Sequence, residues 1–339
     1  MKTTVLITQA EYDKAASVFT SASGLDCQPA PADEAGLADK IRATGCHIVV
    51  LGVVPYRDML YEALAKNATR QGALIIRFGL GTDSIRKSMA KEKNILLVNT
   101  PIDIHTSVAE LTVFQIGALM RHTLRLDDTV RSGGFAPLRG RELYGKTALI
   151  IGGGKIGLKV ARMLHQGFGV RILTSSRRSE EAWVTASGYT RLALRETYGI
   201  ETYAQNLEPL LPQADIVSLH LPLTPETRNL IGARQLARMK PGSVLVNASR
   251  GGIVDETALY DALNDDHLAG AAADVFTHEP YMPVVPDKDL RKLPSMIFSP
   301  HCGSNTIEAN ARMATSAVAQ ALAFACCDNT GLSIVPLSP

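Results

Sequence analysis

Short, unbroken apolar runs alternate with amphipathic stretches along almost the whole chain. In the first hundred residues the runs are TTVLIT (3–8), HIVVLG (47–52), ALIIRFG (73–79) and ILLVN (95–99). Solid blocks of aliphatic and β-branched residues are the pattern of strands covered on both faces, as in a parallel sheet. Between them, residues 11–19, 35–43, 58–66 and 84–91 carry apolar positions at helical spacing. A long amphipathic helix is predicted from Val108 to Arg131, and after RSGGFAPLRG a second series of strands begins: TALIIG, VRILT, GIETY, DIVSLHL, SVLVNAS, GAAADVF and SMIFSP. Strands alternating with helices make an α/β protein. The apolar helix 307–327 has no following strand in its own series, so it is expected to return to the N-terminal series. The predicted architecture is two doubly wound parallel-sheet domains: a discontinuous one (1–106 with 306–339) and one inserted within it (107–305).

The stretch LIIGGGKIG (149–157) gives the inserted domain a chemistry. A strand runs into glycines and a helix opens at Lys155, with Ile156 following. Gly152, Gly154 and Gly157 fit G-x-G-x-x-G: one glycine permits the tight turn, one lets backbone approach a pyrophosphate, and one lets helix and strand pack closely. The free N–H groups at the helix start then face the phosphates. A second strand follows after Gly169, which is the setting of a Rossmann dinucleotide site.

Composition narrows the partners. The 339 residues, 46% of them hydrophobic, are enough for two cores. A net charge of +2, from 35 basic and 33 acidic residues without a polybasic or acidic run, points away from nucleic acid and membrane surfaces. The N-terminal apolar run is too short for a signal-peptide core, and no run is long enough to span a bilayer, so a cytoplasmic protein is expected. Five cysteines without a C-x-x-C pair argue against a zinc site or a disulfide framework, and no metal is expected.

In open α/β sheets ligands bind beyond the carboxyl ends of the strands. There the inserted domain delivers Ser249 and Arg250 after SVLVNA, Asp274 and then Glu279 after GAAA, and His301 after SMIFSP. A guanidinium can hold a carboxylate through two hydrogen bonds, and an imidazole can give or take a proton near neutral pH. A Glu279 carboxylate on one ring nitrogen of His301 would favour imidazolium and fix the tautomer. Such a group suits reduction of a carbonyl beside a carboxylate. Cys302 directly follows His301 and would point to the other side, which disfavours a cysteine–histidine nucleophile. His278 reads as a loop residue, and Arg57 and His105 as candidates for touching a polar substrate.

The motifs LIIGGGKIG, HLPLTPETRNLI, VNASRGGIVDE, AAADVFTHEP and SPHCGSNT, in that order and preceded by RFGLGTDSI and VNTP to VAELT, resemble the D-isomer-specific 2-hydroxyacid dehydrogenase family over residues 45–325. The resemblance implies catalytic roles for Arg250, Glu279 and His301. It implies substrate binding by Arg77, Gly79, Leu80 and Gly81, with backbone N–H groups of that turn on the substrate carboxylate. It also implies cofactor contacts from His220, Leu221, Pro222, Thr227, Ala248, Ser249, Asp274 and Gly303, Asp274 accepting from the nicotinamide amide. A flavodoxin-like substrate domain, a catalytic cleft between domains and a homodimer joined through the nucleotide-binding domains are implied as well. The activity so implied is direct hydride transfer to a small 2-oxo acid, giving a D-2-hydroxy acid, with protonated His301 as proton donor.

The cofactor's phosphate pattern can be read from the residues. NAD sites place an acid at the end of the second strand, about 20 residues past the glycines, on the ribose 2′-hydroxyl. Here the strand ends TSSRR: Ser176 takes the acid's place, with Arg177 and Arg178 next to it. Loss of the carboxylate removes repulsion toward a 2′-phosphate, and guanidinium groups can grip its oxygens. NADPH is therefore the expected donor, with NAD as the alternative. Residues 100–105, TPIDIH, depart from the glycine and asparagine many relatives carry after TP, which leaves the identity of the 2-oxo acid open. Residues 178–199 are longer than in most relatives and read as a surface excursion. The competing functions are a dinucleotide-sensing regulator of the same fold, an NAD-dependent D-2-hydroxyacid dehydrogenase including the phosphoglycerate type, and a formate or phosphite enzyme. Absence of an appended domain disfavours the phosphoglycerate type, and Glu279 disfavours the formate type, which pairs its histidine with glutamine.

Overall fold

The computed structural model describes residues 2–101 and 104–337; Ile102 and Asp103 of the divergent TPIDIH loop lie outside the described residues. Two compact units are formed, Met1–Ile104 with Ser304–Pro339, and His105–Gly303.

The first unit is built on five parallel strands, β1 (Thr3–Thr8), β2 (Leu25–Ala30), β3 (Ile48–Leu51), β4 (Ala73–Arg77) and β5 (Ile95–Asn99), in the order β2-β1-β3-β4-β5. This is the flavodoxin-like order. Side chains alternate across the sheet, so each strand feeds two cores. Leu6, Val49, Ile75 and Leu97 meet Leu37, Ile41, Leu60 and Leu64 from helices Glu34–Thr44 and Met59–Lys66. On the other face Ile7, Val50, Ile76 and Val98 meet Phe19 and, from helix Ile307–Ala325, Met313, Ala317 and Phe324. The C-terminal helix thus completes the N-terminal sheet. Strand β2 is absent from the sequence reading. It is an edge strand with an exposed Asp26 and with Pro29, which only an edge accommodates, so it lacks the solid apolar block of its neighbours.

The second unit has seven parallel strands: β6 (Thr147–Ile151), β7 (Arg171–Ser175), β8 (Ile200–Ala204), β9 (Ile216–Leu219), β10 (Val244–Asn247), β11 (Gly270–Ala273) and β12 (Met296–Phe298). Their order is β12-β11-β10-β9-β6-β7-β8. The chain runs outward from β6 to β7 and β8, then crosses back to β9 on the other side of β6. Strand β6 therefore sits at the switch point, where its carboxyl end opens into a crevice. Ala148, Ile150 and Ile172 of the sheet pack on Val160 and Leu164 of helix Lys155–Phe168 and on Ile116 and Met120 of helix His105–Arg121. Fully burying one such aliphatic side chain contributes ~2 kcal/mol.

Three readings change in detail. The helix expected over 108–131 is two, His105–Arg121 and Thr123–Arg131, separated by His122 at φ 54°, a left-handed conformation that ends a helix. The helix over 11–19 is likewise two short ones, Gln9–Lys14 and Ala16–Thr20. Residues 178–199 fold into helices Glu180–Ser187 and Arg191–Tyr198. Ser179 and Thr190 cap their N-termini by accepting from the N–H groups of Ala182 and Ala193, and Gly188 and Gly199 close them in the left-handed region. Among the described residues no helix is long and apolar enough to cross a membrane.

Candidate active site

In the glycine turn after β6, two motif glycines answer a steric demand and the third leaves an open face. Gly152 has φ 101°, and a Cβ there would lie 2.4 Å from the His220 carbonyl oxygen. Gly157 has its Cβ position 2.2 Å from the Gly152 oxygen, so only hydrogen permits that approach of helix to strand. A Cβ on Gly154 would meet nothing within 4 Å. Gly154 is the N-cap of the 14-residue helix Lys155–Phe168, so an open face fronts the helix dipole. The turn fits a dinucleotide pyrophosphate. At the end of β7, Ser176 and Arg178 form a small turn in which the Arg178 N–H donates to Ser176 Oγ at 3.4 Å. Arg177 lies 3.5 Å from Glu226, and both side chains are exposed. The carboxylate that an NAD-type site would carry at position 176 is replaced by a hydroxyl.

His220, after β9, ends against this turn. Its Nε2 pairs with Ser218 Oγ at 2.9 Å and its Nδ1 is shielded with no partner among the described residues. Burial drives its pKa down to about 3, so the ring is neutral. Leu221 and Pro222 continue the loop, and Thr227 closes it, accepting from the Thr224 N–H at 2.7 Å and donating to the Pro222 carbonyl at 2.7 Å.

The three candidate catalytic residues leave β10, β11 and β12 and are drawn together by backbone packing. A Cβ on Gly251 would fall 1.9 Å from the Phe276 carbonyl oxygen, so the segment carrying Arg250 presses directly on the one leading to Glu279. The Phe276 N–H donates to Glu279 Oε1 at 3.0 Å and the Thr277 N–H to buried Glu256 at 2.6 Å, which fixes that loop. Glu279 Oε2 then accepts from His301 Nδ1 at 2.7 Å. Burial alone would raise the Glu279 pKa. The His301 and Phe276 hydrogen bonds, with the charges of His301 and Arg250, outweigh burial and hold the carboxyl below its ordinary range. Both members of the pair remain 36% exposed, so a small molecule can reach the ring. Arg250 donates to the Ser249 carbonyl at 2.7 Å, and Asn247 Nδ2 donates to the Arg250 carbonyl at 2.9 Å. Ser249 itself donates to Asn247 Oδ1 at 2.7 Å, and Ala248 between them is buried.

His301 adopts φ 50°, and Asp274 explains how that is tolerated. The 2% exposed Asp274 carboxylate accepts from the N–H groups of Cys302 at 2.9 Å and Gly303 at 2.8 Å and from Ser299 Oγ at 2.5 Å, while its carbonyl accepts from the His301 N–H at 2.8 Å. Residues on both sides of the histidine are thus tied to one buried carboxylate. Sequence reading missed this function of Asp274; its signal was an acid at a strand end followed by the small residues of SPHCGS. Burial and Asp274 raise the Cys302 pKa, which keeps its thiol protonated.

In the first unit Arg77 is buried at the end of β4 and donates to the Phe78 carbonyl. Gly79, at φ 131°, donates its N–H to Thr100 Oγ1 at 2.8 Å, and Asn99 donates to the Leu80 carbonyl at 3.0 Å. The turn 79–81 is thereby fastened to the end of β5, with the Gly79 N–H already committed. Among the described residues no group of three His, Cys, Asp or Glu side chains could hold a metal ion.

Comparison with known proteins decides the family. Residues 113–303 match the family model for the D-isomer specific 2-hydroxyacid dehydrogenase, NAD binding domain. The chain belongs to the D-isomer-specific 2-hydroxyacid dehydrogenase family. It is 35% identical to the glyoxylate reductase of Thermococcus litoralis over 299 residues, which cover 85% of this chain and 83% of that protein. Over 273 residues, 78% of this chain and 83% of the relative, it is 34% identical to the hydroxypyruvate reductase of Thermotoga maritima. Among solved structures, the NADPH-dependent glyoxylate/hydroxypyruvate reductase of Sinorhizobium meliloti in complex with citrate superposes with a TM-score of 0.79 at 25% identity, covering 100% of this chain and 99% of that one. The protein is accordingly an NAD(P)-dependent oxidoreductase of the D-2-hydroxyacid dehydrogenase family.

Proposed function

We propose that the protein reduces a small 2-oxo acid, of the glyoxylate or hydroxypyruvate type, to the D-2-hydroxy acid with NADPH as preferred donor. The observation that carries this reading is the 2.7 Å pair between His301 Nδ1 and Glu279, formed on the same strand edge as Arg250. A bound reduced nicotinamide supplies hydride. The residues of the chain do the rest. Glu279 occupies Nδ1 of His301, so Nε2 is the nitrogen that gives its proton to the carbonyl oxygen of the substrate. Glu279 stabilises the charged ring before that transfer. The Arg250 guanidinium orients the carbonyl and the adjoining carboxylate and polarises the C=O bond. Asp274 holds the histidine backbone and is a positioning residue for it. Arg77, Gly79, Leu80 and Gly81 of the first unit are our candidates for substrate binding, although the Gly79 N–H already serves the turn itself.

NADPH preference rests on Ser176 in place of an acid and on Arg177 and Arg178 beside it. It is supported by the NADPH-dependent Sinorhizobium meliloti relative. We assign the cofactor contacts to Gly152, Gly154, Lys155, Ile156 and Gly157 at the pyrophosphate, with His220, Leu221, Pro222, Thr227, Ala248, Ser249, Asp274 and Gly303 lining the rest. A homodimer is proposed through the His105–Gly303 unit. Helix Thr123–Arg131 buries none of its residues, and Phe114, Leu124, Val130, Phe135 and Tyr144 are all more than half exposed, an apolar surface that a second copy would cover. The test is steady-state oxidation of NADPH and NADH with a panel of 2-oxo acids. Turnover of glyoxylate or hydroxypyruvate, faster with NADPH, is expected; tight dinucleotide binding without turnover of any 2-oxo acid would favour the regulator instead.

A further inference from the structure

The inserted helix Glu180–Ser187 contributes one deeply buried side chain, Trp183, which is 4% exposed while most of its neighbours face solvent. Its indole Nε1 donates to the Gly153 carbonyl at 2.9 Å. Gly153 is the free position of G-x-G-x-x-G, where the motif accepts any residue. Here a Cβ at that position would lie 2.5 Å from the indole nitrogen, so the middle one of the three consecutive glycines is required by the tryptophan and not by the dinucleotide. The same indole stacks on Tyr203 at 4.9 Å and 24°. The Tyr203 hydroxyl in turn donates to the Arg178 carbonyl at 2.6 Å and lies 3.1 Å from that of Ser176, and Gln205 donates to the Arg177 carbonyl at 3.2 Å. One aromatic pair therefore grips both the glycine turn and the backbone of the Ser176–Arg178 loop.

We infer that Trp183 is a positioning residue for dinucleotide binding, holding the Gly152–Gly154 turn and, through Tyr203, the loop assigned to the 2′-phosphate in one fixed arrangement. The inference rests on the reading of this turn as a dinucleotide site. A turn that has to be ordered on binding loses affinity by the cost of ordering, whereas a turn already fastened does not. Trp183 touches no part of the reacting centre, so its effect falls on cofactor affinity and not on the chemical step.

The experiment measures NADPH and NADH dissociation constants by calorimetry for the wild type, Trp183→Phe, Trp183→Ala, Gly153→Ala and the double variant. Trp183→Phe keeps an aromatic ring on Tyr203 but removes the N–H donor, and a fivefold rise in Kd is expected, or ~1 kcal/mol. The turnover number at saturating NADPH should stay within about twofold of wild type, a split between affinity and rate that general loss of folding would not produce. Gly153→Ala should weaken binding in the wild-type background and cost little more once Trp183 is alanine, because the clash has gone. Where a Trp183 variant does not fold, Tyr203→Phe still answers: it leaves the indole in place and removes the hydroxyl that holds the Ser176 and Arg178 carbonyls, and the NADPH Kd should rise. Unchanged Kd values in Trp183→Phe, additive losses in the cycle, or an unchanged NADPH Kd in Tyr203→Phe would each overturn the inference and leave the dinucleotide reading intact. A wild type that binds neither NADPH nor NADH would overturn both.

Discussion

Lowering the pH from 7 to 5 should remove about 2 kcal/mol of stability through His220 alone. The ring is shielded beside Ser218, and burial lowers its pKa from 6.5 to about 3. A base whose pKa is lower in the folded protein binds fewer protons there than in the unfolded chain, so acid favours unfolding. The stability is present above pH 6.5 and is lost progressively as the pH falls from 6.5 toward 3. Between pH 6.5 and 5 the loss is ~1.4 kcal/mol per unit, about 2 kcal/mol over that interval. His220→Asn leaves a polar side chain on Ser218 that does not titrate. Urea unfolding of the His105–Gly303 unit, followed through the emission of Trp183, gives the stability of both proteins at the two pH values. Other titrating groups are common to both and cancel in the difference. The wild type should lose about 2 kcal/mol more than the variant on acidification. Parallel pH profiles would refute the assignment of a shielded neutral imidazole.

The loop after β7 sets cofactor choice, so Ser176→Asp should shift the NADPH/NADH ratio of kcat/KM toward NADH by roughly tenfold or more, since a carboxylate at that point repels a 2′-phosphate and binds a 2′-hydroxyl. An unchanged ratio would remove Ser176 from the specificity argument. Glu279→Gln should reduce kcat about 10²-fold with little change in NADPH affinity. In the wild type the Glu279 carboxyl ionises below its ordinary range, so any loss of rate from its protonation should appear only below pH 4.5. An acid limb above that value that Glu279→Gln abolishes would contradict the shift. Replacing Leu124 and Val130 by Asp should convert a dimer into monomers in light scattering, because both side chains stand exposed on a helix none of whose residues is buried. A wild type that is itself monomeric would refute the interface.

Much of this fold is legible because its central strands are sheathed on both faces. Runs such as ALII and VLVN admit few structures other than buried parallel strands, and the glycines at 152, 154 and 157 mark where one of them must turn tightly. Edge strand β2 escaped because half of its residues need no apolar partner, and Pro29 argues against a strand anywhere but an edge. The break at His122 escaped because amphipathic spacing continues through it, and a single left-handed residue leaves no periodic trace. At the site, residue types at strand ends pointed to Arg250, Glu279 and His301. The backbone contact of Gly251 with Phe276, the grip of Asp274 on the residues around His301, and the indole of Trp183 on Gly153 join residues far apart in sequence. None of them shows as a periodic pattern along the chain. The middle glycine of GGG and a lone tryptophan in a polar insert were the only sequence marks of the last.

The central claim is that His301, held by Glu279, delivers the proton that accompanies hydride transfer to a 2-oxo acid. Its most direct test is single-turnover oxidation of pre-bound NADPH by glyoxylate and by hydroxypyruvate, in the wild type and in His301→Gln. The account predicts an unchanged NADPH dissociation constant and hydride transfer slowed by at least about 10²-fold in the variant. Hydride transfer at the wild-type rate without the imidazole would contradict it.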